Sequence, residues 1–412
     1  MAIEMKDSGV NWIGQIPNDW GIIRFKYLHN GMNTGESIDK EFWSVDENDD
    51  VFYTAGVEPI RTSYKDFPAW KLTNNNDLLL ARNGTPYVYL PSASACYTDH
   101  IIRANVKSNI NRKFVRYSLQ QSISSVVVDS VSLATWSASL WNEQAIAWPS
   151  SEVQSRIVAF LDYECAKIDE IINKTRTSIE EYKKLKQAVI IQTVTKGIRN
   201  NRAMKKSGIE WITEIPNDWQ ECRIKNAVYP QEKPVLPSDE IITCFRDGEV
   251  TLRRKRREEG FTVSFTENGY HGVDVGDLVI HGMDAFAGAI GCSDSRGKTT
   301  PVVHVCNTIG NNRYFMYYLR SLAYGNILMD LSSGVRIRSS DYRNFSKLGV
   351  FGVLVPPKDE QDEIVTYLDS TIANIDRLLT EKAQLLSELE AFKKSVIFEY
   401  ITGKKEAPLR ES

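Results

Sequence analysis

The chain lacks the devices that most readily announce a chemical function. None of its six cysteines (Cys96, Cys165, Cys222, Cys244, Cys292, Cys306) stands in a Cys-x-x-Cys pair, so neither a disulfide framework nor a thiolate zinc site is expected, and a reducing compartment fits. Long hydrophobic runs are missing as well. Stretches such as Asp77-Leu-Leu-Leu-Ala81 and Ala188-Val-Ile-Ile191 fall far short of the roughly 20 residues that cross a bilayer. The N-terminus has no signal-peptide core, so the expectation is a cytoplasmic protein with no membrane partner. There is no P-loop, no Gly-x-Gly-x-x-Gly and no His-Glu-x-x-His, and His29, His100, His271, His281 and His304 are dispersed. Gly288-Ala-Ile-Gly291 reads as a turn or tight packing, and Val355-Pro-Pro357 as the end of a strand before a helix. His281 and Asp284 could form an acid–base pair, but nothing beside them supplies a nucleophile or cofactor site. The expectation is a chain without a catalytic centre, cofactor or metal. Finally, there is no cationic excess: the net charge is −3 over 412 residues, so binding to a polyanion would have to rest on local charge.

What the chain does have is a copy of itself. Ser8-Gly-Val-Asn-Trp-Ile-Gly-Gln-Ile-Pro-Asn-Asp-Trp20 returns as Ser207-Gly-Ile-Glu-Trp-Ile-Thr-Glu-Ile-Pro-Asn-Asp-Trp219. A second set, Pro149, Gln154, Ile157, Leu161, Asp162, Ile168 and Asp169, returns in the same order as Pro356, Gln361, Ile364, Leu368, Asp369, Ile375 and Asp376. Between these anchors only scraps match, such as Asn76-Asp-Leu-Leu-Leu80 against Gly276-Asp-Leu-Val-Ile280 and Arg112-Lys-Phe114 against Arg313-Tyr-Phe315. This is a tandem duplication whose halves share a scaffold and differ in what lies between.

Each half divides into three. The opening segments (1–20 and 199–219) place tryptophans around an Ile-Pro-Asn-Asp turn, which reads as aromatic packing. The middle parts (21–148 and 220–355) mix short β-like runs, Ile101–Val106 and Pro301–Val305, with one helix near Arg112–Ser122 or Arg313–Tyr324, giving two α+β domains. The closing parts (149–198 and 356–412) are long amphipathic helices, over about Glu152–Thr193 and Asp359–Tyr400, uninterrupted by Pro or Gly. Their apolar stripes run through Ile157, Leu161, Ile168, Ile172, Ile179, Tyr182, Leu185 and Val189, and through Ile364, Leu368, Ile375, Leu379, Leu386, Leu389, Phe392 and Val396. A rod of some 40 residues, about 60 Å long, needs a partner for such a stripe, and its own duplicate is the nearest one. A pseudo-two-fold relation between equivalent units makes that coiled coil antiparallel. The helices then serve as a ruler between the domains, or simply as a stability device.

Charge is local. The second long helix carries Asp359, Glu360, Asp362, Glu363, Asp369, Asp376, Glu381, Glu388 and Glu390 against Lys358, Arg377 and Lys382, a face that should repel phosphate and meet protein. Arg253-Arg-Lys-Arg-Arg257 packs five cations near Arg246, Phe261 and Tyr270. It reads as a phosphate-binding run or as a solvated loop partly neutralised by Glu258 and Glu259. Arg82, Asn83, Thr85 and Tyr87 in the first domain, and Arg336 and Arg338 in the second, offer the fork and amide side chains that base reading uses.

The repeated Ser-Gly-x-x-Trp-Ile-x-x-Ile-Pro-x-x-Trp opening, the Pro-x-x-Glu/Asp-x-Gln-x-x-Ile helix start and the closing Ile401-Thr-Gly-Lys404 resemble the specificity subunits of Type I restriction-modification enzymes over nearly the whole chain. The first half departs from the pattern at Pro149-Ser-Ser151, where a double proline is expected, and at Lys196, where the glycine of Thr402-Gly403 would fall. The resemblance implies a non-catalytic bacterial or archaeal subunit in phage defence. Its middle domains would be target recognition domains, each reading half of a bipartite sequence on double-stranded DNA, with the coiled coil setting the gap. It further implies two modification (methyltransferase) subunits held on the helices, and restriction (motor/nuclease) subunits. S-adenosylmethionine, ATP and magnesium would sit on those partners, with none on this chain. Two other readings stay open: a detached specificity subunit of a simpler, Type II-like enzyme, and a coiled-coil adaptor with no DNA role.

Overall fold

The computed structural model describes residues 4–83, 87–124, 135–256, 268–329 and 342–408. It is mixed helix and sheet and falls into two compact units, residues 1–175 with 384–412, and residues 176–383. Both units are built from the same parts.

In the first, a short hairpin pairs Met5–Asp7 with Gln15–Pro17, and a ribbon pairs Gly21–Arg24 with Ala145–Trp148. The central sheet is antiparallel in the order His29–Thr34, Ile101–Val106, Asp77–Ala81, Val88–Tyr89. In the second unit the hairpin is Met204–Lys206 with Glu214–Pro216 and the ribbon Gln220–Arg223 with Gly352–Val355. Its sheet runs Val228–Pro230, Val303–Thr308, Leu278–His281, Ile290–Cys292, again antiparallel. A helix follows each sheet, Arg112–Ser124 or Asn312–Tyr324. The β run expected at Pro301–Val305 is therefore displaced: the strand is Val303–Thr308, because Pro301 cannot donate to a ladder. The first unit adds a second sheet from Trp43–Ser44, Asp50–Tyr53, Ile60–Thr62 and Cys96–Tyr97, where the second has, among the described residues, two small ribbons. The units thus differ in their outer lobes.

The long helices span Ser151–Lys196 and Lys358–Ile401. Their repeated residues have specific structural work. Gln154 and Gln361, both buried, each donate from Nε2 to the carbonyl of the proline five residues before, Pro149 (3.0 Å) and Pro356 (2.9 Å). That bond fastens the helix start to the ribbon. Asp162 accepts from Lys113 Nζ (2.5 Å) and the Tyr117 hydroxyl (2.9 Å). Asp369 does the same for Arg313 Nη2 and the Tyr317 hydroxyl, both at 2.6 Å. Each long helix is thereby latched to the helix behind its sheet.

Within each unit the two long helices run antiparallel. In the first, Phe160 packs on Tyr400 (centroids 4.3 Å) and Lys393 Nζ grips both oxygens of Asp169 at 2.6 Å. In the second, Lys382 lies over the Tyr182 ring and Lys186 Nζ grips Asp376 at 2.6 and 2.8 Å. Ile157, Leu161, Ile168, Ile172, Ile364, Leu368 and Ile375 are buried, while Ile179, Leu379 and Leu386 are half-buried. Much of that burial is against the globular parts: Ile157 and Leu161 share a core with Trp20, Phe114 and Ile401, and Ile364 and Leu368 share one with Trp219, Tyr314 and Phe315. The stripe is not closed throughout. Leu185 is 47% and Phe392 56% exposed, although both lie on the apolar period.

Two expectations are corrected here. The first half does not lose the helix-ending glycine. Gly197 (φ +74°) and Gly403 (φ +72°) both sit just past a helix end in the left-handed conformation that stops it, so the equivalent of Gly403 is Gly197 and not Lys196. An added Cβ would meet Glu360 Oε1 at 2.6 Å in one case and Pro17 Cδ at 2.5 Å in the other. The acids of the second helix, moreover, are not a bare repelling face. Asp359 and Glu363 pair with Arg199, Glu360 with Arg202, Asp362 with Asn311, Asp369 with Arg313 and Asp376 with Lys186.

An ion network ties down the start of the second domain. Arg296 donates to both oxygens of Asp239 (3.1 and 2.9 Å) and to Asp274 (2.5 Å), and Lys233 bridges Asp274 and Asp277. The Arg296 bonds hold the Asp239 carboxyl below its ordinary pKa, and Lys233 followed by Arg296 does so for Asp274. A depressed folded-state pKa gives stability that is present above the unfolded value, about 3.9, and lost as pH falls through the folded one. Thermal melts should therefore weaken as pH drops below about 4, and Asp239→Asn should flatten that fall. An unchanged pH slope in the variant would count against the network.

Candidate nucleic-acid interface

The residues with base-reading chemistry fall at few places. In the first unit the two central strands, Asp77–Ala81 and Ile101–Val106, pair Ala81 with Ile101 at the end of their ladder. One step further on, Arg82 N–H donates to the His100 carbonyl (2.8 Å) and Trp136 N–H donates to the Arg82 carbonyl (2.7 Å). Arg82 has its backbone held on both sides, and its exposed guanidinium has no side-chain partner among the described residues. Beside it Asn83 Nδ2 contacts His100 Nδ1 at 2.8 Å. An amide NH2 only donates, so Nδ1 accepts and the His100 proton sits on Nε2. Sequence reasoning missed His100, whose strand-end position becomes meaningful only once the ladder register is known. Tyr87 is half-buried, its ring tilted against Tyr89 (centroids 4.7 Å) and its hydroxyl 3.4 Å from Arg116 Nη2, so it packs within the domain. Thr85 lies outside the described residues.

The second unit ends the same ladder differently. His281 pairs with Val303, then Gly282 N–H donates to the Val302 carbonyl (2.9 Å) and Tyr342 N–H to the Gly282 carbonyl (2.8 Å). A Cβ at Gly282 would meet Val302 O at 2.7 Å and the Arg343 backbone at 3.0 Å, so no side chain fits where the first unit has Arg82. Two exposed arginines stand at this end: Arg343, whose backbone lies against Gly282, and Arg246, which donates from Nη2 to Asp284 (2.8 Å). Gly288 (φ +94°) explains the placement of Arg246: a Cβ there would meet the Arg246 carbonyl at 2.7 Å, so the turn carrying Arg246 lies directly on the backbone. His281 comes within 3.5 Å of Asp284, but its Nδ1 accepts the backbone N–H groups of Met283 and Asp284 (3.3 and 3.1 Å). Burial lowers its pKa and keeps it a neutral acceptor, so it organises the turn.

The basic run is largely answered by acids of its own domain. Arg253 Nε donates to Thr243 Oγ1, Arg254 pairs with Glu240, and Lys255 pairs with Asp294. Arg256 pairs with Asp247 and Glu249 while stacking on Phe245 (4.3 Å). These acids of the same domain answer the run among the described residues; Glu258 and Glu259, with Arg257, Phe261, Arg336 and Arg338, lie outside the described residues. Among the described residues no cluster of His, Cys, Asp and Glu could hold a metal, and no helix is long and apolar enough to cross a membrane.

No protein-family model matches the chain. It is similar, 21% identical over 421 residues spanning 95% of this chain and 94% of the other, to the Type I restriction enzyme MjaVIII specificity subunit of Methanocaldococcus jannaschii. Its fold is shared with a chain solved in work on complex assembly and conformational transition of the type I R-M system, with a TM-score of 0.64, 14% identity and coverage of 95% of this chain and 99% of that one. The HsdS subunit of Thermoanaerobacter tengcongensis aligns over 95% of this chain and 98% of its own at 16% identity and a TM-score of 0.44.

Proposed function

We propose that this chain is the DNA-specificity subunit of a Type I restriction-modification complex and has no catalytic centre of its own. Each recognition domain reads one half of a bipartite duplex target. The observation that carries this reading is the contrast within the duplication. The same four-strand order, ribbon and helix latch occur in both units, while the matching ladder ends carry Arg82 and Asn83 in one and Gly282 and Met283 in the other. A repeated frame with differing tips suits two unlike half-sites, since sequence is read by side chains at base edges and not by the frame.

Partner chemistry follows from the same reading. Ile171, Leu385 and Phe392 of the first unit's helices and Leu185 and Tyr367 of the second's are each more than 40% exposed. Apolar side chains on paired helices suit further helices from modification subunits. Those partners bring S-adenosylmethionine and much of the phosphate grip that a chain of net charge −3 lacks. Restriction subunits would bring ATP and magnesium.

The test is methylome sequencing of DNA modified by the chain co-expressed with its modification subunit. The expected result is an asymmetric two-part motif with a fixed unspecified gap. A single uninterrupted motif, or random modification, would defeat the proposal. The basic run is tested separately: with Arg254, Lys255 and Arg256 already paired, neutralising them should lower the salt slope of binding by less than one unit per residue.

A further inference from the structure

The two ladder ends occupy the same place in the two sheets, yet each solves the presentation of an arginine in its own way. In the first unit the arginine is on the ladder itself. Arg82 follows directly from the strand Asp77–Ala81, its N–H and carbonyl both tied, and its neighbour Asn83 is held by His100. In the second unit the Arg343 backbone closes that position to any side chain, and Arg246 arrives from an adjacent turn. That turn is fixed from beneath. Gly288 and Gly291 lie under the carbonyls of Arg246 and Gly248, and the buried Arg320 donates from Nη2 to the Asp247 carbonyl. Asp284 then orients the Arg246 fork.

Each end therefore holds an exposed arginine with a second side chain beside it, on backbone that is tied in place, and the second end carries the exposed Arg343 as well. That is the arrangement base reading requires, because a floppy arginine would lose in ordering what it gains in contact.

We propose that these ladder ends are the two base-reading heads. Arg82 and Asn83, with His100 as positioning residue, read neighbouring purines of the first half-site. Arg246, positioned by Asp284, reads a guanine of the second. The inference rests on the specificity-subunit reading and adds to it which residues discriminate. Arginine donates in a fork to guanine O6 and N7. Among the described residues Asn83 gives one amide hydrogen to His100 and has its other N–H and its carbonyl oxygen unpaired, the pair that matches adenine N7 and N6.

The test uses the full chain assembled with its modification subunits, and compares methylomes and duplex affinities of native and variant complexes. Arg82→Ala should cost about ten- to a hundredfold in discrimination at one position of the first half-site, leaving the second half-site and the gap unchanged. Arg246→Ala should do the converse. His100→Ala should relax only the position read by Asn83, and His100→Asn, whose Oδ1 stands where Nδ1 stood, should restore it. All these side chains are exposed or half-exposed, so melting temperatures should hold and report any general damage. A native complex with a two-part target that Arg82→Ala and Arg246→Ala leave unaltered overturns this inference alone. A native complex without a two-part target overturns the specificity reading and this one with it. If Asn83→Ala relaxes a position that His100→Ala does not, the positioning role of His100 is overturned.

Discussion

Removing residues 177–183 from the first long helix together with 379–385 from the second should shorten the gap between half-sites by about three base pairs, with both half-sites intact. Seven residues are about 10.5 Å of helix, close to three steps of 3.4 Å along a duplex. A heptad is also nearly two full turns, so each domain is rotated by only about 20°. Lys382, within one segment, lies over the Tyr182 ring of the other, and the deletion leaves the Asp169–Lys393 and Lys186–Asp376 pairs in place. None of the removed residues is fully buried. On a duplex with the native gap the two domains could no longer engage together, and affinity should fall by about a hundredfold or more as that linkage is lost. The readout is binding to a series of duplexes differing only in gap length. A native optimum in the shortened chain would sink the ruler reading.

Glu360→Ala should be the most damaging single substitution to the second unit. The Glu360 carboxylate is fully buried beneath Gly197, accepts the Trp219 indole N–H at 2.9 Å and pairs with Arg202, which also reaches Asp218 at 2.5 Å. Removing the acid leaves a largely buried guanidinium and an indole N–H without their acceptor, a loss of about 3–5 kcal/mol. For a unit of this size that is roughly a 10 °C fall in its melting transition. Glu360→Gln, which keeps an acceptor for Trp219, should lose distinctly less. The first unit has Val153 at the matching place, so calorimetry should show one transition moving and the other staying. A shift of both together, or a fall of under about 1 kcal/mol, which is within the range of an ordinary substitution, would show that the buried pair is not the support described.

The long helices and the duplication were legible because they rest on period and repetition, both properties of the sequence itself. The amphipathic stripe put Ile157, Leu161, Ile364 and Leu368 inside, and they are inside. It also put Leu185 and Phe392 inside, where they are not, since period tells which face is apolar and not how far a neighbour covers it. Gly197 was not legible as the partner of Gly403 because the two long helices differ in length by two residues, 46 against 44, which shifts the register at their ends. The acids of the second helix were legible as charges but not as partners: Arg199, Arg202 and Arg313 stand far from them in sequence and reach them only in the fold. The same limit hid His100. Its meaning comes from a strand register that joins it to Arg82 across 18 residues.

The first unit is assembled from two separate stretches of the chain, 1–175 and 384–412. Ile401 and Ala407 are buried with Ile13, Trp20 and Leu161, and Lys404 Nζ donates to the Ile13 carbonyl. Residues 1–175 leave the ribosome before the stretch of helix, 384–401, that completes their core. The second unit, continuous from 176 to 383, has all its parts sooner. Folding during synthesis should therefore run against the order of translation, with residues 1–175 waiting, apolar faces uncovered, for residues 384–407 to arrive. A chain interrupted shortly after residue 383 would lose the part made first and keep the part made second.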